Sequence, residues 1–211
     1  MTTGMTKSLS RRQVIAGAAV AGTALALPTR LPAQALAIDM RQVRILEIAK
    51  REIERAGAPL WRRDIAGIAD FGVHSATPRF HFANMEAGTV RSFLVSHGTG
   101  SDPEHDGWLK TFSNEVGSNA TSQGAYITWE WYTGRYGTSI RLGGLDPTNS
   151  NTLERAIVAH SATYATQAHV DKWGRLGRSN GCFAMGPDDF REALWHLSGG
   201  RLLYSDKLGI S

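Results

Sequence analysis

The rhythm of apolar and polar positions changes character several times along the chain. From Val14 to Leu27 apolar and small residues follow one another almost without a break, directly after Arg11-Arg12. Over residues 39–56, "DMRQVRILEIAKREIERA", apolar positions including Val43, Leu46 and Ile53 recur near helical spacing. Asp39 is the expected N-cap of that helix and Gly57 its stop. Beyond residue 60 the pattern shortens. "IAGIADF", "RFHFANM", "TVRSFLVS", "AYITWEWY", "TSIRLGGL", "RAIVAHSATY" and "RLLYS" are brief runs rich in β-branched and aromatic residues, separated by Gly, Pro, Asn and Asp. That pattern predicts a mostly-β domain, a sandwich or barrel of short strands, rather than alternating βαβ units. One helical stretch interrupts it late in the chain. In "FREALWHLSGG" Phe190, Leu194 and Leu197 share a helix face, with Asp188 as cap and Gly199 as stop. The polar stretch "TQAHVDKW" reads as loop.

The first apolar run is too short to cross a bilayer, which takes about 20 residues. It leads into the small-residue sites Ala33-Gln34-Ala35 and Ala35-Leu36-Ala37. A basic start, a short apolar core and a small-residue cleavage site describe a secretory signal, as against a buried helix of the folded domain. "SRRQVI" resembles a twin-arginine signal, which engages the bacterial machinery that exports folded proteins. The division expected is a signal peptide over 1–37, an N-terminal helical segment over 38–60 and a catalytic domain over 61–211, delivered to the periplasm.

Removing the signal changes the charge. The formal net charge is +4, and residues 1–37 hold Lys7, Arg11, Arg12 and Arg30 with no acid. Basic and acidic residues then balance, so the mature domain has no bulk electrostatic reason to bind nucleic acid.

An exported protein with a single cysteine has nothing in its own chain to pair it with. Cys182 sits in "GRLGRSNGCFAM", and it is either a small buried hydrophobe or a nucleophile. A nucleophile needs a base and donors for the oxyanion. Backbone amides around Asn180, Gly181 and Cys182 are candidate donors, Gly181 allowing close approach. Arg175 and Arg178 are candidates to favour the thiolate by charge. Among seven histidines, His160 ends the apolar run "AIVAH" and His97 follows "FLVS"; both would project from strand ends, and spacing does not choose between them.

"RAIVAHSATY…GRLGRSNGCFAM" resembles the active-site signature of L,D-transpeptidase catalytic domains of the YkuD type. The fuller resemblance is to the murein L,D-transpeptidase catalytic domain branch, in "ADFGVHSATPRF", "VSHGTGSD", "TFSNEVGSNATSQGAYIT", "YGTSIRLGGLD" and "GRSNGC" in that order. It implies a YkuD-like β-sandwich or barrel with a helix after the catalytic turn and an N-terminal helix. It implies Cys182 as nucleophile, His160 as general base, and the turn Asn180-Gly181-Cys182 as oxyanion donors, with Ser179, which opens the motif, assigned to substrate binding. The commoner family turn has a second histidine where this chain has Asn180, and Arg or Asn where it has Ala184, which hands substrate anchoring to Arg178 or Arg175. The implied chemistry is cysteine-dependent acyl transfer between peptidoglycan stem peptides, forming 3→3 cross-links through a thioester. Susceptibility to carbapenem-type inhibitors is implied too, with no metal or organic cofactor. On the same site the alternatives are an L,D-carboxypeptidase or cross-link-editing hydrolase; a non-catalytic cell-wall-binding module is the alternative from another class.

Other features carry less. His97, Asp102, Glu104, His105 and Asp106 cluster in a Gly/Pro loop, a pattern a metal site would share, but no H-E-x-x-H occurs. His97 is therefore assigned to substrate binding at the groove or to bracing its loop. Ile127, Trp129 and Trp131 alternate onto one strand face, expected to pack in the core, with a sugar-facing platform as the alternative.

Overall fold

The computed structural model describes residues 33–135 and 137–210, with side chains from Met40 onward. The proposed signal segment up to residue 32 lies outside the described residues. Helix α1 runs Ala33–Ala56, so Asp39 is inside the helix rather than its cap, and both small-residue cleavage sites fall within its first turns. The amphipathic face is also turned relative to expectation. Ile45, Ile48, Ala49 and Ile53 are buried at helical spacing while Val43 points to solvent. This face covers Ala66, Ile68, Ala83, Ala125, Ile127, Leu202 and Tyr204 on the outside of the sheet. Buried Glu52 is bonded by Arg51 and Arg55, and Arg55 continues to Asp146 at 2.6 and 2.9 Å.

The strands are β1 (Ile65–Asp70), β2 (Phe80–Asn84), β3 (Thr89–Phe93), β4 (Gly124–Gly134), β5 (Gly137–Gly144), β6 (Val158–Ser161), β7 (Phe183–Met185) and β8 (Leu202–Asp206). They form one sheet in the order β3-β2-β1-β8-β4-β5-β6-β7. The pairs β1–β8 and β6–β7 are parallel and the others antiparallel. Its two edges approach each other just past β3, where the Ser96 amide donates to the Ala184 carbonyl of β7 at 2.8 Å. That contact nearly closes the sheet into a barrel, covering edges that would otherwise be left open. The mostly-β expectation holds, with a barrel-like sheet as its form.

The barrel interior holds Phe71, Phe80, Phe82, Tyr126, Ile140, Leu142, Phe183 and Met185. Helix α3 (Pro187–Leu197) contributes Phe190, Ala193 and Leu197 to the same core. Its N-cap is Gly186, with Pro187 opening the helix and Asp188 in the first turn, where a carboxylate suits the helix dipole. Two elements were not expected. Helix α2 (Gln167–Trp173) buries none of its residues, so it has no apolar stripe to read; Thr166 caps it and Gly174 ends it. The strand β7 is only three residues long. Core packing fails for Trp131, which is 63% exposed. The register between β4 and β5 shifts between Thr128 and Trp131, which breaks the alternation that put Ile127 and Trp131 on one face.

Candidate active site

The parallel pair β6–β7 aligns His160 with Ala184. Cys182 immediately precedes β7, so the register brings the two sequence candidates to neighbouring strand ends. The connection between them carries α2 and then the turn that leads into β7.

Inside that turn Ser179 does structural work. It is buried, its hydroxyl donates to the Cys182 carbonyl at 2.7 Å, and the same oxygen accepts from the Gly181 amide at 3.2 Å. The backbone either side is stitched to the 96–99 segment: the Ser179 amide donates to His97 O at 2.9 Å and the Thr99 amide to Ser179 O at 2.8 Å. Gly181 has φ +106°, and a Cβ there would lie 2.7 Å from Ala120 O and 2.9 Å from Ile157 Cδ1. Gly98 is equally confined: a Cβ would lie 2.7 Å from the Gly181 nitrogen. Only two bare backbones can cross this closely, which accounts for glycine at both positions.

His160, Tyr164, Arg178, Ser179, Asn180 and Cys182 line one cavity of about 190 Å³. The predicted site residues His160, Arg178, Ser179, Asn180 and Cys182 therefore meet on its wall. Gly181 is not among the residues of that wall, and its amide is bonded to Ser179. His160 is buried, and its Nδ1 lies 2.9 Å from the Ser161 carbonyl. Because a carbonyl only accepts, Nδ1 carries the hydrogen and Nε2 is the basic nitrogen. Burial lowers the pKa of His160, partly offset by that bond, so the ring is neutral near pH 7.

Cys182 is 7% exposed, with its sulfur 3.8 Å from the Ala156 carbonyl. Burial pushes the thiol above its ordinary value, against a backbone hydrogen bond from Val158 and the charge of Arg155. The expectation of a depressed thiol pKa is overturned, because desolvation outweighs the nearby cation. That cation is also not the one expected. Arg155 donates to Ser113 O at 2.7 Å and to Ala120 O, which places its guanidinium against the back of the cysteine turn. Arg175 bonds only the carbonyl of Trp173, at 3.4 Å, among the contacts described, and is not in the cavity wall. Arg178 is there, its guanidinium held by the carbonyls of Asp102 and Pro103. Asn180 is exposed at the rim.

His97 sits away from the cavity in a buried chain of polar groups. Its Nδ1 accepts from Arg79 Nη2 at 2.9 Å, which leaves Nε2–H to donate to Asp102 Oδ2 at 3.1 Å. Desolvation, with Arg79 adding to it, keeps His97 neutral, so this is a hydrogen bond rather than an ion pair. Arg79 is fully buried and also donates to the carbonyls of Val95 and Val73. Asp102 in turn accepts from the amides of Asp106 and Gly107, each at 3.0 Å. The acidic and histidine cluster of this loop thus braces the segment whose carbonyls hold Arg178.

Sequence reasoning missed Tyr164 and Arg155. Tyr164 follows His160 by four residues within the quoted motif, and its neighbour in space, Gly177, is packed onto it: a Cβ there would lie 2.6 Å from the Tyr164 Cβ. Arg155 had no readable signal, since it acts from a turn that precedes β6. A roomier groove of about 780 Å³ lies between α1 and residues 207–210 and is lined by Arg41, Arg44, Arg51 and Lys207 among others. Neither His160 nor Cys182 belongs to its wall.

A model of the L,D-transpeptidase catalytic domain matches residues 40–205. No curated protein matches the chain. Among solved structures, an L,D-transpeptidase from Mycobacterium smegmatis is 16% identical, with a TM-score of 0.41, over 68% of this chain and 58% of its own. The L,D-transpeptidase LdtMt1 in complex with imipenem is 16% identical at a TM-score of 0.41, over 68% and 59%. An L,D-transpeptidase from Mycobacterium tuberculosis H37Rv is 15% identical at 0.40, over 68% and 57%. The chain spans less than two thirds of the length of each.

Proposed function

The chain belongs to the L,D-transpeptidase catalytic domain family, and from that membership we propose that it is a cysteine-dependent peptidoglycan L,D-transpeptidase forming 3→3 cross-links. The observation that supports this reading is the shared cavity of Cys182 and His160, with His160 Nδ1 fixed on the Ser161 carbonyl. That bond leaves Nε2 as the ring's proton-accepting atom, the pairing a thiol nucleophile requires.

In the proposed reaction the resting nucleophile is a thiol, because burial raises its pKa. As Sγ attacks the carbonyl of a stem peptide, between the L-centre of a diamino acid and a terminal D-residue, the thiol proton passes to His160 Nε2. The S–C bond forms, the C–N bond breaks, and His160 returns the proton to the departing amine. The amine of a second stem then attacks the thioester: the new C–N bond forms, the C–S bond breaks, and the proton shed by the amine passes through His160 Nε2 to the departing sulfur, restoring the thiol. Backbone amides of the Asn180–Cys182 turn are the proposed oxyanion donors; the Gly181 amide would exchange its 3.2 Å bond with Ser179 for the oxyanion. Arg178, aimed by two carbonyls, is the proposed anchor for a substrate carboxylate. Ser179 supports the turn from within. We assign His97 to positioning rather than to substrate contact.

The first residues are proposed to send the protein to the periplasm by a twin-arginine signal, where such stems occur. The test is product analysis with purified disaccharide-tetrapeptide. Dimers with a 3→3 linkage are expected. Tripeptide alone would replace the reading by a carboxypeptidase on the same site, and no turnover together with intact wall binding would replace it by a binding module.

A further inference from the structure

Trp61 is 70% exposed, yet its ring is not loose. The indole lies across Gly200, where a Cβ would come within 2.6 Å of Cδ2 and 2.7 Å of Cε3. The Trp61 amide donates to the Gly200 carbonyl at 2.9 Å, and the Arg62 amide shares that acceptor at 3.1 Å. The three residues that follow Trp61 in the chain, Arg62, Arg63 and Asp64, line a shallow groove of about 510 Å³ together with Glu86. Two of these are held in place. Arg201 grips Asp64 with two bonds of 2.8 and 2.7 Å and keeps its carboxyl below the usual range, while Arg63 donates to Gly57 O at 2.8 Å. Other exposed indoles ride on elements tied to the same turn. The Gly199 amide donates to Trp129 O at 3.3 Å, two residues before Trp131. Trp195, 81% exposed, lies in the last turn of α3, four residues before Gly199.

A fixed, solvent-facing indole next to oriented guanidinium and carboxylate groups matches few ligands. The buried centre of a protein interface favours Trp and Arg but is depleted of carboxylates such as Asp64 and Glu86, and an apolar small molecule needs an enclosed pocket. A pyranose ring fits: one face presents C–H groups to an aromatic plane, and its rim presents hydroxyls to Arg, Asp and Glu. We propose that Trp61 and the groove of Arg62, Arg63, Asp64 and Glu86 bind the sugars of a polysaccharide strand of the N-acetylhexosamine class. The choice of N-acetylated sugars rests on the cell-wall reading above; the stacking site does not. It gives the wall polymer a grip separate from the cavity that takes its peptide.

The experiment is calorimetric titration of the full-length Cys182→Ala protein with the β-1,4 tetramer of N-acetylglucosamine, and in parallel with the glucose tetramer. Saturable binding of the N-acetylated tetramer is expected, weakened about tenfold or more by Trp61→Ala, as for removal of a central aromatic contact. Trp61→Phe keeps a ring and is expected to retain most of the affinity, which separates stacking from an effect on folding, while Trp173→Ala on α2 should bind as the parent does. Absence of saturable binding, or equal affinity in Trp61→Ala, would overturn the site; equal affinity for the glucose tetramer would overturn the N-acetyl assignment. Because nothing is turned over in this titration, its failure is distinguishable from failure of the transpeptidase reading, which appears in the products.

Discussion

Alanine at Gly181 and at Gly174 separates backbone conformation from close approach. Both glycines have positive φ, +106° and +69°, so a side chain at either costs about 1–2 kcal/mol for the left-handed conformation. Around Gly174 nothing lies within 4 Å of a Cβ, and the cost ends there. At Gly181 the Cβ would meet Ala120 O at 2.7 Å, Ile157 Cδ1 at 2.9 Å and Arg155 Nη2 at 3.1 Å. Backbone on one side and core on the other leave little room to yield, and such overpacking adds about 1–3 kcal/mol. Urea denaturation at pH 7 should therefore place Gly181→Ala about 1–3 kcal/mol below Gly174→Ala. The turn carries Cys182, so a displacement approaching 1 Å should also slow acylation by a carbapenem about 100-fold, while Gly174→Ala reacts at nearly the parent rate. If the two variants match in stability and in acylation, the crossing of Gly181 over the 120 and 157 segments does not constrain the site as described.

Acid should destabilise the fold through its buried histidines. Burial takes His81 down to about 3, so the folded protein keeps it neutral while the unfolded chain takes up a proton below about 6.5. Stability is then lost as pH falls from about 6.5 toward 3, at about 1.4 kcal/mol per pH unit, with His97 acting in the same direction. Urea titrations at pH 7, 6 and 5 should show that slope, and His81→Gln should reduce it by about one proton; an unchanged slope would contradict the assignment. Asp102→Asn removes the carboxylate that faces buried Arg79 and His97 and should cost about 3 kcal/mol by urea denaturation, against a change under about 0.5 kcal/mol if the network were idle. Alkylation of Cys182 by iodoacetamide should be slow at pH 7 and climb beyond pH 9, since burial raises the thiol. A plateau by pH 8 would show a standing thiolate instead.

What could be read from the sequence was local or carried by short motifs. "AIVAH" placed His160 in a strand, and "RSNGC" placed Cys182 in a glycine turn, because period and turn chemistry are written in consecutive residues. The face of α1 was misjudged at Val43 because several registers of "VRILEIAK" bury a comparable stripe, and the sheet selects the one led by Ile45 and Ile48. Trp131 was misplaced because the β-bulge after Thr128 leaves no mark in the alternation. Arg155 and the true setting of His97 depend on contacts between residues far apart in the chain, Arg155 with Ala120 and Arg79 with His97, which no periodicity reports. The direction of the Cys182 shift was hidden for the same reason: the arginines close by in sequence, Arg175 and Arg178, are not the cation that acts on the sulfur, which is Arg155, and the burial that outweighs it is a property of the nearly closed barrel.

In the proposed reaction the sulfur of Cys182 attacks acyl groups with His160 as its base. Intact-mass measurement after incubation with imipenem tests it most directly. One adduct per chain is expected, mapping to the peptide that contains Cys182, lost in Cys182→Ala and formed far more slowly in His160→Ala. An unmodified parent protein, or an adduct that survives in Cys182→Ala, would contradict it.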